Sequence, residues 1–256
     1  DFIISEHNIL IEINPTITHN SYMNIFDKNS NGLDKYYHSV KSRIAEDSGY
    51  KCIHVWDWDD WDAIIDLIST NKRIYARNCK LQIIDKETAE SFINLNHISR
   101  SCRGQNYCYG LFYNGELVEV MTFGKPRYNK KYQFELLRLC TKVGYSIIGG
   151  ASKLFNYFLK SEHPESIISY CDLSKFTGNV YEKIGMRLSH KTDPNKVWSK
   201  NREYITNNLL RQRGYDQLFG THYGKGTSNE ELMIENGWLP VYDCGQAVFV
   251  WSVNHV

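Results

Sequence analysis

The chain is poor in the features that mark several large protein classes. None of its apolar runs approaches the roughly 20 residues that a membrane-spanning helix needs, and no signal peptide opens it. It therefore reads as soluble and intracellular. Its seven cysteines (Cys52, Cys79, Cys102, Cys108, Cys140, Cys171, Cys244) form no C-x-x-C pair and are odd in number. That pattern argues against a disulfide framework or a zinc ribbon and suits reduced core thiols in a cytoplasmic compartment. Charge of one sign is also missing. Thirty Lys and Arg face 29 Asp and Glu, a formal net charge of +1, so any nucleic-acid contact has to come from a local patch. The first residue is Asp1 rather than Met, and it falls inside a strand-like run, so a trimmed N-terminus is expected. What is present is 42% apolar and 14% aromatic content over 256 residues, enough for one large or two ordinary cores.

Periodicity gives the element order. Phe2, Ile4, Ile9, Ile11 and Ile13 recur with period two around a turn at 5–8, which predicts two strands ended by Pro15. Tyr37, Val40 and Ile44 predict one face of a helix within 33–47. The run KCIHVW predicts a buried strand, and WDWDDWDAIIDLIST an amphipathic helix with Trp61, Ile64, Ile65 and Ile68 inward. The strand RIYARNCKLQIID and a helix N-capped by Asp85 follow. A hairpin is then expected to turn at Asn114-Gly115, because that pair readily adopts the positive φ of a tight turn. Strand FELLRLCTK, a glycine turn opening helix ASKLFNYFLKSE, strand SIISYCD, helix GNVYEKIG and further strands complete a mixed sheet with helices. The late stretch NEELMIENGWLPVYDCGQAVFVW echoes NVYEKIGMRLSHKTDPNKVW as a weak internal repeat.

Two constellations carry chemistry. In the first, Asp1 heads one strand, Glu12 and Asn14 close the next, His19 lies in the loop beyond, and His38 and Lys41 fall on the following helix. Acids on adjacent strands can hold Mg²⁺ at a sheet edge, with Asp1 and Glu12 as metal ligands and a His or Lys handling the proton or steadying the leaving oxyanion. These segments, DFIISEHNILIEINPTITHN and YYHSVKSRIAEDSGYKCIHVWDWDDW, resemble the very-short-patch repair (Vsr-like) and Hef-like phage homing endonucleases of the PD-(D/E)XK superfamily over about the first 65 residues. The resemblance casts Asp1 as the metal-binding aspartate and His19 as the general base. Asn14 falls where the superfamily has its motif lysine, for which Lys41 is a substitute. The run Trp56, Trp58 and Trp61 is read as core or, alternatively, as a base-stacking surface.

In the second, Gly149, Gly150, Ala151 and Ser152 lie between a strand and a helix, where free amides and the helix dipole make an anion site. The order NGELVEVMTFG, ELLRLCTK, GGASKLFNYF, IISYCD, GNVYEKIGM is similar to the GNAT acyltransferase fold. That resemblance implies coenzyme A pyrophosphate on the turn, acetyl-CoA as a possible cofactor, and Tyr181 near the thioester. Tyr145 stands where the family loop has its first basic or amide residue. Separately, Lys125, Arg127, Lys130 and Lys131, interleaved with Tyr128 and Tyr132, suit either a phosphate backbone or a solvated loop, and Arg100 and Arg103 could extend that patch.

The expectation is thus an α/β chain with a nuclease module at 1–71, a GNAT-like domain at 72–200 and a C-terminal extension at 201–256. The first functional reading is a Mg²⁺-dependent homing-type endonuclease acting on double-stranded DNA in a host-cell cytoplasm. The alternatives are an acyl-CoA-dependent, Mom-like acyltransferase acting on DNA, and a non-catalytic DNA-binding protein. The sequence does not fix an oligomeric state.

Overall fold

A computed structural model describes residues 1–26, 31–207, 209–210 and 229–253, and these form a mixed α/β protein of two compact units. The units are discontinuous in sequence. The first gathers 1–59, 172–177 and 192–246, and the second 60–171, 178–191 and 247–256. They differ from the continuous segments expected from the sequence, because helix 61–68 joins the second unit and most of the tail joins the first. Part of the expected 201–256 extension lies outside the described residues.

In the first unit β1 (Phe2–Ile4) and β2 (Ile9–Asn14) pair antiparallel. Between them lie a 3₁₀ turn at Ser5–His7 and left-handed Asn8, φ 51°. β3 (Lys51–Trp56) runs parallel to β2, so the chain must cross over, and α1 (Tyr37–Asp47) makes that crossing. The expected inward face of α1 is corrected. His38 and Ala45 are the buried residues, whereas Ile44 is 58% exposed and Val40 is also exposed. The inward stripe is His38, Ser42, Ala45, spaced i, i+4, i+7, and hydrogen bonds satisfy its polar members. A second sheet of this unit is antiparallel, in the order β13 (Glu203–Thr206), β12 (Lys196–Lys200), β14 (Leu239–Tyr242). Trp198 and Ile205 pack there with Met233 of α6 (Asn229–Glu235) and Trp238.

The second unit holds a seven-stranded sheet in the order β11 (Arg187–Lys191), β15 (Gln246–Ser252), β10 (Ser166–Asp172), β8 (Phe134–Thr141), β7 (Glu116–Gly124), β6 (Tyr107–Tyr113), β5 (Lys80–Ile83). The hairpin β6–β7 turns at Asn114 and Gly115 with φ 50° and 83°, as the sequence predicts. α3 (Lys86–Asn96), whose Asp85 cap accepts from the Thr88 amide at 2.7 Å, sets Ala89, Phe92 and Ile93 on Val120, Cys108 and Cys140. Along β7, Met121 and Phe123 alternate with Val120 and Thr122, so they point to the other face. There Phe158 of α4 (Gly150–Glu162) stacks on Phe123 with centroids 3.6 Å apart, a contact worth about 0.5–1.5 kcal/mol beyond its buried area.

The single strand expected over RIYARNCKLQIID is two strands. β4 (Thr70–Tyr75) pairs in parallel with β9 (Gly144–Ile148), and a 3₁₀ turn at Ala76–Asn78 leads into β5. In α2 (Trp61–Ile68), Asp60 caps the Asp62 and Ala63 amides. Only Ile64 of its expected apolar face is buried, while Trp61 is 46% exposed. The sequence echo has a structural counterpart. The earlier copy gives β11 to the seven-stranded sheet and β12 to the smaller one. The later copy gives β15 and β14 to the same two sheets, and in each sheet the two donated strands pair antiparallel.

Candidate functional site

The second unit places its chemistry along β8. This strand and β10 are parallel neighbours, yet they register only at Ile167↔Phe134 and Ile168↔Glu135. Beyond that point the Ser169 hydroxyl, rather than a ladder amide, donates to Leu136 O at 2.9 Å. The β7–β8 register also shifts, from Phe123↔Leu136 to Thr122↔Arg138, which bulges β8 at Leu137. A bulge bends and twists its strand, so β8 turns away from β10 along the half that leads towards α4.

α4 begins at Gly149, which takes a left-handed conformation with φ 79° that suits glycine and supplies no side-chain cap. The amides of Gly150, Ala151 and Ser152 have no intrahelical partner by the geometry of a first turn, while Lys153 N donates to Gly149 O at 3.0 Å. The Lys153 ammonium is committed to main-chain carbonyls. It holds the carbonyls of Ala76, at 2.9 Å, and Cys79. All four expected turn residues thus lie at one helix start.

Sequence reasoning missed Glu119, which lies against this turn. A Cβ on Gly150 would press on Glu119 Oε2 and sit 2.7 Å from its Cδ. The second glycine therefore makes room for this carboxyl. Glu119 is 3% exposed. Its Oε1 accepts from the Thr141 hydroxyl at 3.2 Å, and its Oε2 has no hydrogen-bond partner. Burial pushes its pKa up to about 8, with the Thr141 hydrogen bond pulling the other way, so the protonated form predominates at pH 7. The signal was available, because a Glu within LVEVMTF sits in a strand covered on both faces.

Tyr181, on α5 (Asn179–Lys183), is half-buried and stacks on Phe249 with centroids 4.8 Å apart. Burial raises its phenol to about 12, with the nearby hydroxyl of Ser169, the residue that bridges to β8, pulling the other way. Tyr181 therefore lies where β8 and β10 part and keeps its proton at neutral pH.

The expected basic patch is partly committed. Arg127 forks onto Glu135, Nε at 2.9 Å and Nη2 at 2.6 Å from Oε1, and Glu135 is fully buried. Lys130 donates to Pro126 O. Lys125 and Lys131 are exposed.

In the first unit, Glu12, His19, His38 and Lys41 come together. The Lys41 ammonium is ion-paired to the buried Glu12 carboxylate. It remains charged, since Glu12 overcomes the downward pull of burial. His38 Nδ1 lies 2.8 Å from Tyr242 O, so that nitrogen carries the proton. His38 Nε2 then accepts from His19 Nδ1 at 3.2 Å. Burial lowers His38 to about 3 and also lowers His19. Asn14 is buried and donates to Glu12 O and to His54 Nδ1. Consequently His54 Nε2 donates to Ser42 Oγ at 2.9 Å and cannot act as a base towards it. Asp1 is exposed and accepts from the Ile13 amide at 3.1 Å. Of the three tryptophans, Trp56 is buried and Trp58 stacks on it and on Tyr204.

These residues do not fit the metal centre expected of Asp1 and Glu12. The Glu12 carboxylate is neutralised by Lys41, and among the described residues no three His, Cys, Asp or Glu side chains group so as to hold an ion. No described helix is long and apolar enough to cross a membrane.

No protein-family model matches the sequence, and no curated relative matches it. The fold is similar to solved acetyltransferases. One, from Bacillus subtilis in complex with CoA, has 13% identity and a TM-score of 0.40, covering 68% of this chain and 99% of that one. A GNAT family acetyltransferase from Elizabethkingia anophelis with acetyl-CoA bound has 13% identity and a TM-score of 0.35, over 69% and 99%. An N-acetyltransferase from Staphylococcus aureus has 13% identity and a TM-score of 0.40, over 68% and 98%. At these identities and scores, activity and substrate do not transfer to this chain. The expected Mg²⁺-dependent homing endonuclease of PD-(D/E)XK type is corrected all the same. The acid meant for a metal is taken by a lysine, and among the described residues no three acidic, His or Cys side chains group to hold an ion.

Proposed function

We propose that the second unit is an acyl-CoA-dependent acyltransferase. The observation that carries this reading is the parting of β8 from β10 after two paired residues, together with a crossover helix that starts on an uncapped glycine turn. Parted parallel strands leave main-chain donors and acceptors that an extended, amide-bearing arm can pair with. The helix start offers the amides of Gly150, Ala151 and Ser152, with the positive end of the helix dipole behind them, to a pyrophosphate. A coenzyme A ester supplies both parts in one molecule, together with an activated acyl group. Ser169 holds the gap at Leu136 O. Tyr181, neutral to about pH 12, is the proposed proton donor to the departing thiolate.

The acceptor is proposed to be DNA. The exposed cations Lys125 and Lys131 support this, with Arg127 left out because Glu135 holds it. The test is calorimetric titration of the full chain with coenzyme A and acetyl-CoA, followed by thiol release in the presence of duplex DNA. Binding in the micromolar range, weakened at least tenfold by Ser152→Asp, is expected. Absence of binding by either ligand refutes the reading.

A further inference from the structure

We propose that Glu119 controls anion binding at the start of α4. A phosphate group is accepted at the Gly150–Ser152 amides while the neighbouring Glu119 carboxyl carries its proton, and is repelled once it does not. The proposal rests on the anion-site part of the acyltransferase reading, and its test separates the two.

Two independent features meet here. One is a 13-residue helix whose N-cap, Gly149, contributes no side-chain acceptor. The other is a side chain that is 3% exposed, has one oxygen without a partner, and is pressed against the first residue of that helix. The unpaired Oε2 decides the sign. As the protonated oxygen it has an O–H to donate, and a phosphate at the adjacent amides is an acceptor within the same small volume. As an ionised oxygen it is itself the anion of the helix terminus. A second anion then meets repulsion that water does not screen in a buried site.

Among the described residues no cation measurably shifts the Glu119 carboxyl, whose causes are burial and the Thr141 hydroxyl. From β6 the cross-strand neighbour is Leu111, and from β8 it is Thr141. Cys140 of β8 and Cys79, just before β5, are titratable groups near it; burial raises both thiols first, Glu119 comes next at Cys140, and at Cys79 the downward pull of Lys153 comes ahead of the upward push of Glu119. α4 supplies Lys153, whose ammonium is bonded to Ala76 O and Cys79 O. α3 presents Ala89, Phe92 and Ile93 to the opposite face of the sheet. Burial, acting first, places the titration near pH 8.

The experiment is calorimetric titration of the full chain with inorganic pyrophosphate and with coenzyme A, from pH 6.5 to 9.5 at fixed ionic strength. Wild type is compared with Glu119→Gln, which keeps the shape and cannot ionise, so the variant reports the ligands' own pH dependence. Equal affinities are expected at pH 6.5. At pH 9.5 the wild type is expected to bind about 30-fold more weakly than the variant, the fraction of protein still protonated setting the apparent affinity. Thr141→Val removes a hydrogen bond to the carboxylate and should move the loss to higher pH, which decides the matter if Glu119→Gln misfolds. Wild type and Glu119→Gln tracking each other at every pH overturns the proposal, as does failure of both to bind either probe at pH 6.5. A pH-gated site for pyrophosphate with no tighter binding of coenzyme A upholds the gate and removes the acyltransferase reading. Tight coenzyme A binding with no difference between the proteins does the reverse.

Discussion

Replacing Gly150 by alanine should destabilise the second unit, and the cause should be Glu119. Ordinarily a glycine-to-alanine change inside a helix is favourable by about 1 kcal/mol. At Gly150 the added methyl would press on Glu119 Oε2, with Cδ at 2.7 Å and Ile147 Cγ2 at 2.8 Å. Overpacking of this kind costs about 1–3 kcal/mol. The net expectation for Gly150→Ala alone is therefore a loss of up to about 2 kcal/mol. In a Glu119→Ala background the carboxyl is gone and only the Ile147 contact remains, so the same methyl should become neutral or favourable. Residues in contact couple by about 0.5–3 kcal/mol in a double-mutant cycle, and here the coupling should lie in the upper half of that range. Scanning calorimetry at pH 7 gives the four stabilities, read on the transition that Glu119→Ala itself shifts. Additivity within about 0.5 kcal/mol would mean that the carboxyl does not lie on the glycine turn, and both the site description and the gate would fall with it.

Other expectations follow from particular contacts. His38 is lowered from 6.5 to about 3, first by burial and then by His19. The unfolded chain thus binds a proton that the folded one refuses, and stability should rise with pH between about 3 and 6.5, by up to about 5 kcal/mol at about 1.4 kcal/mol per pH unit. His38→Gln should flatten that part of a urea-midpoint profile, and an unchanged slope would refute the assignment. Arg127→Ala leaves the buried Glu135 without its guanidinium and should cost about 3 kcal/mol of stability, whereas Lys125→Ala and Lys131→Ala should be nearly silent in the same melts. If those two lysines contact DNA phosphates, removing both should lower the salt slope of DNA binding by about 2; no change would remove the loop from the interface. Tyr181→Phe should lower kcat for acyl transfer by at least tenfold with KM for the acyl donor unchanged, and an unaltered kcat would exclude proton donation by the phenol.

The elements that were legible in the sequence are those whose local chemistry agrees with their surroundings. The Asn114-Gly115 hairpin, the Asp85 cap and the β1–β2 turn each carry their own signal, and the glycine turn was found because strand, small residues and helix follow one another. The failures share one physical cause, which is burial of polar groups through partners distant in sequence. α1 reads as amphipathic about Tyr37, Val40 and Ile44, yet it is packed by His38 and Ser42, whose partners Tyr242 and His54 lie 204 and 12 residues away. The unit boundaries were missed for a similar reason. β12 and β14 need each other across the whole tail, and no local period records a pairing of that separation.

The same cause explains why the front-module constellation misled. Acid, imidazole and lysine in this order are consistent with an open metal site or with a closed polar core, and the two differ only in whether the charges already satisfy one another. In this chain they do. Lys41 takes Glu12, His38 takes both the Tyr242 carbonyl and the His19 proton, and Asn14 takes His54. Glu119 is the converse case. It lies in an apolar strand that suggests nothing, but its Oε2 is left unpaired against a helix terminus. A buried polar atom without a partner is costly to keep, about 1–3 kcal/mol. The unpartnered atom of the front cluster, Asn14 Oδ1, belongs to a neutral amide, so chemistry is better sought at the ionisable unpaired oxygen of Glu119 than among imidazoles and charges that already pair with one another.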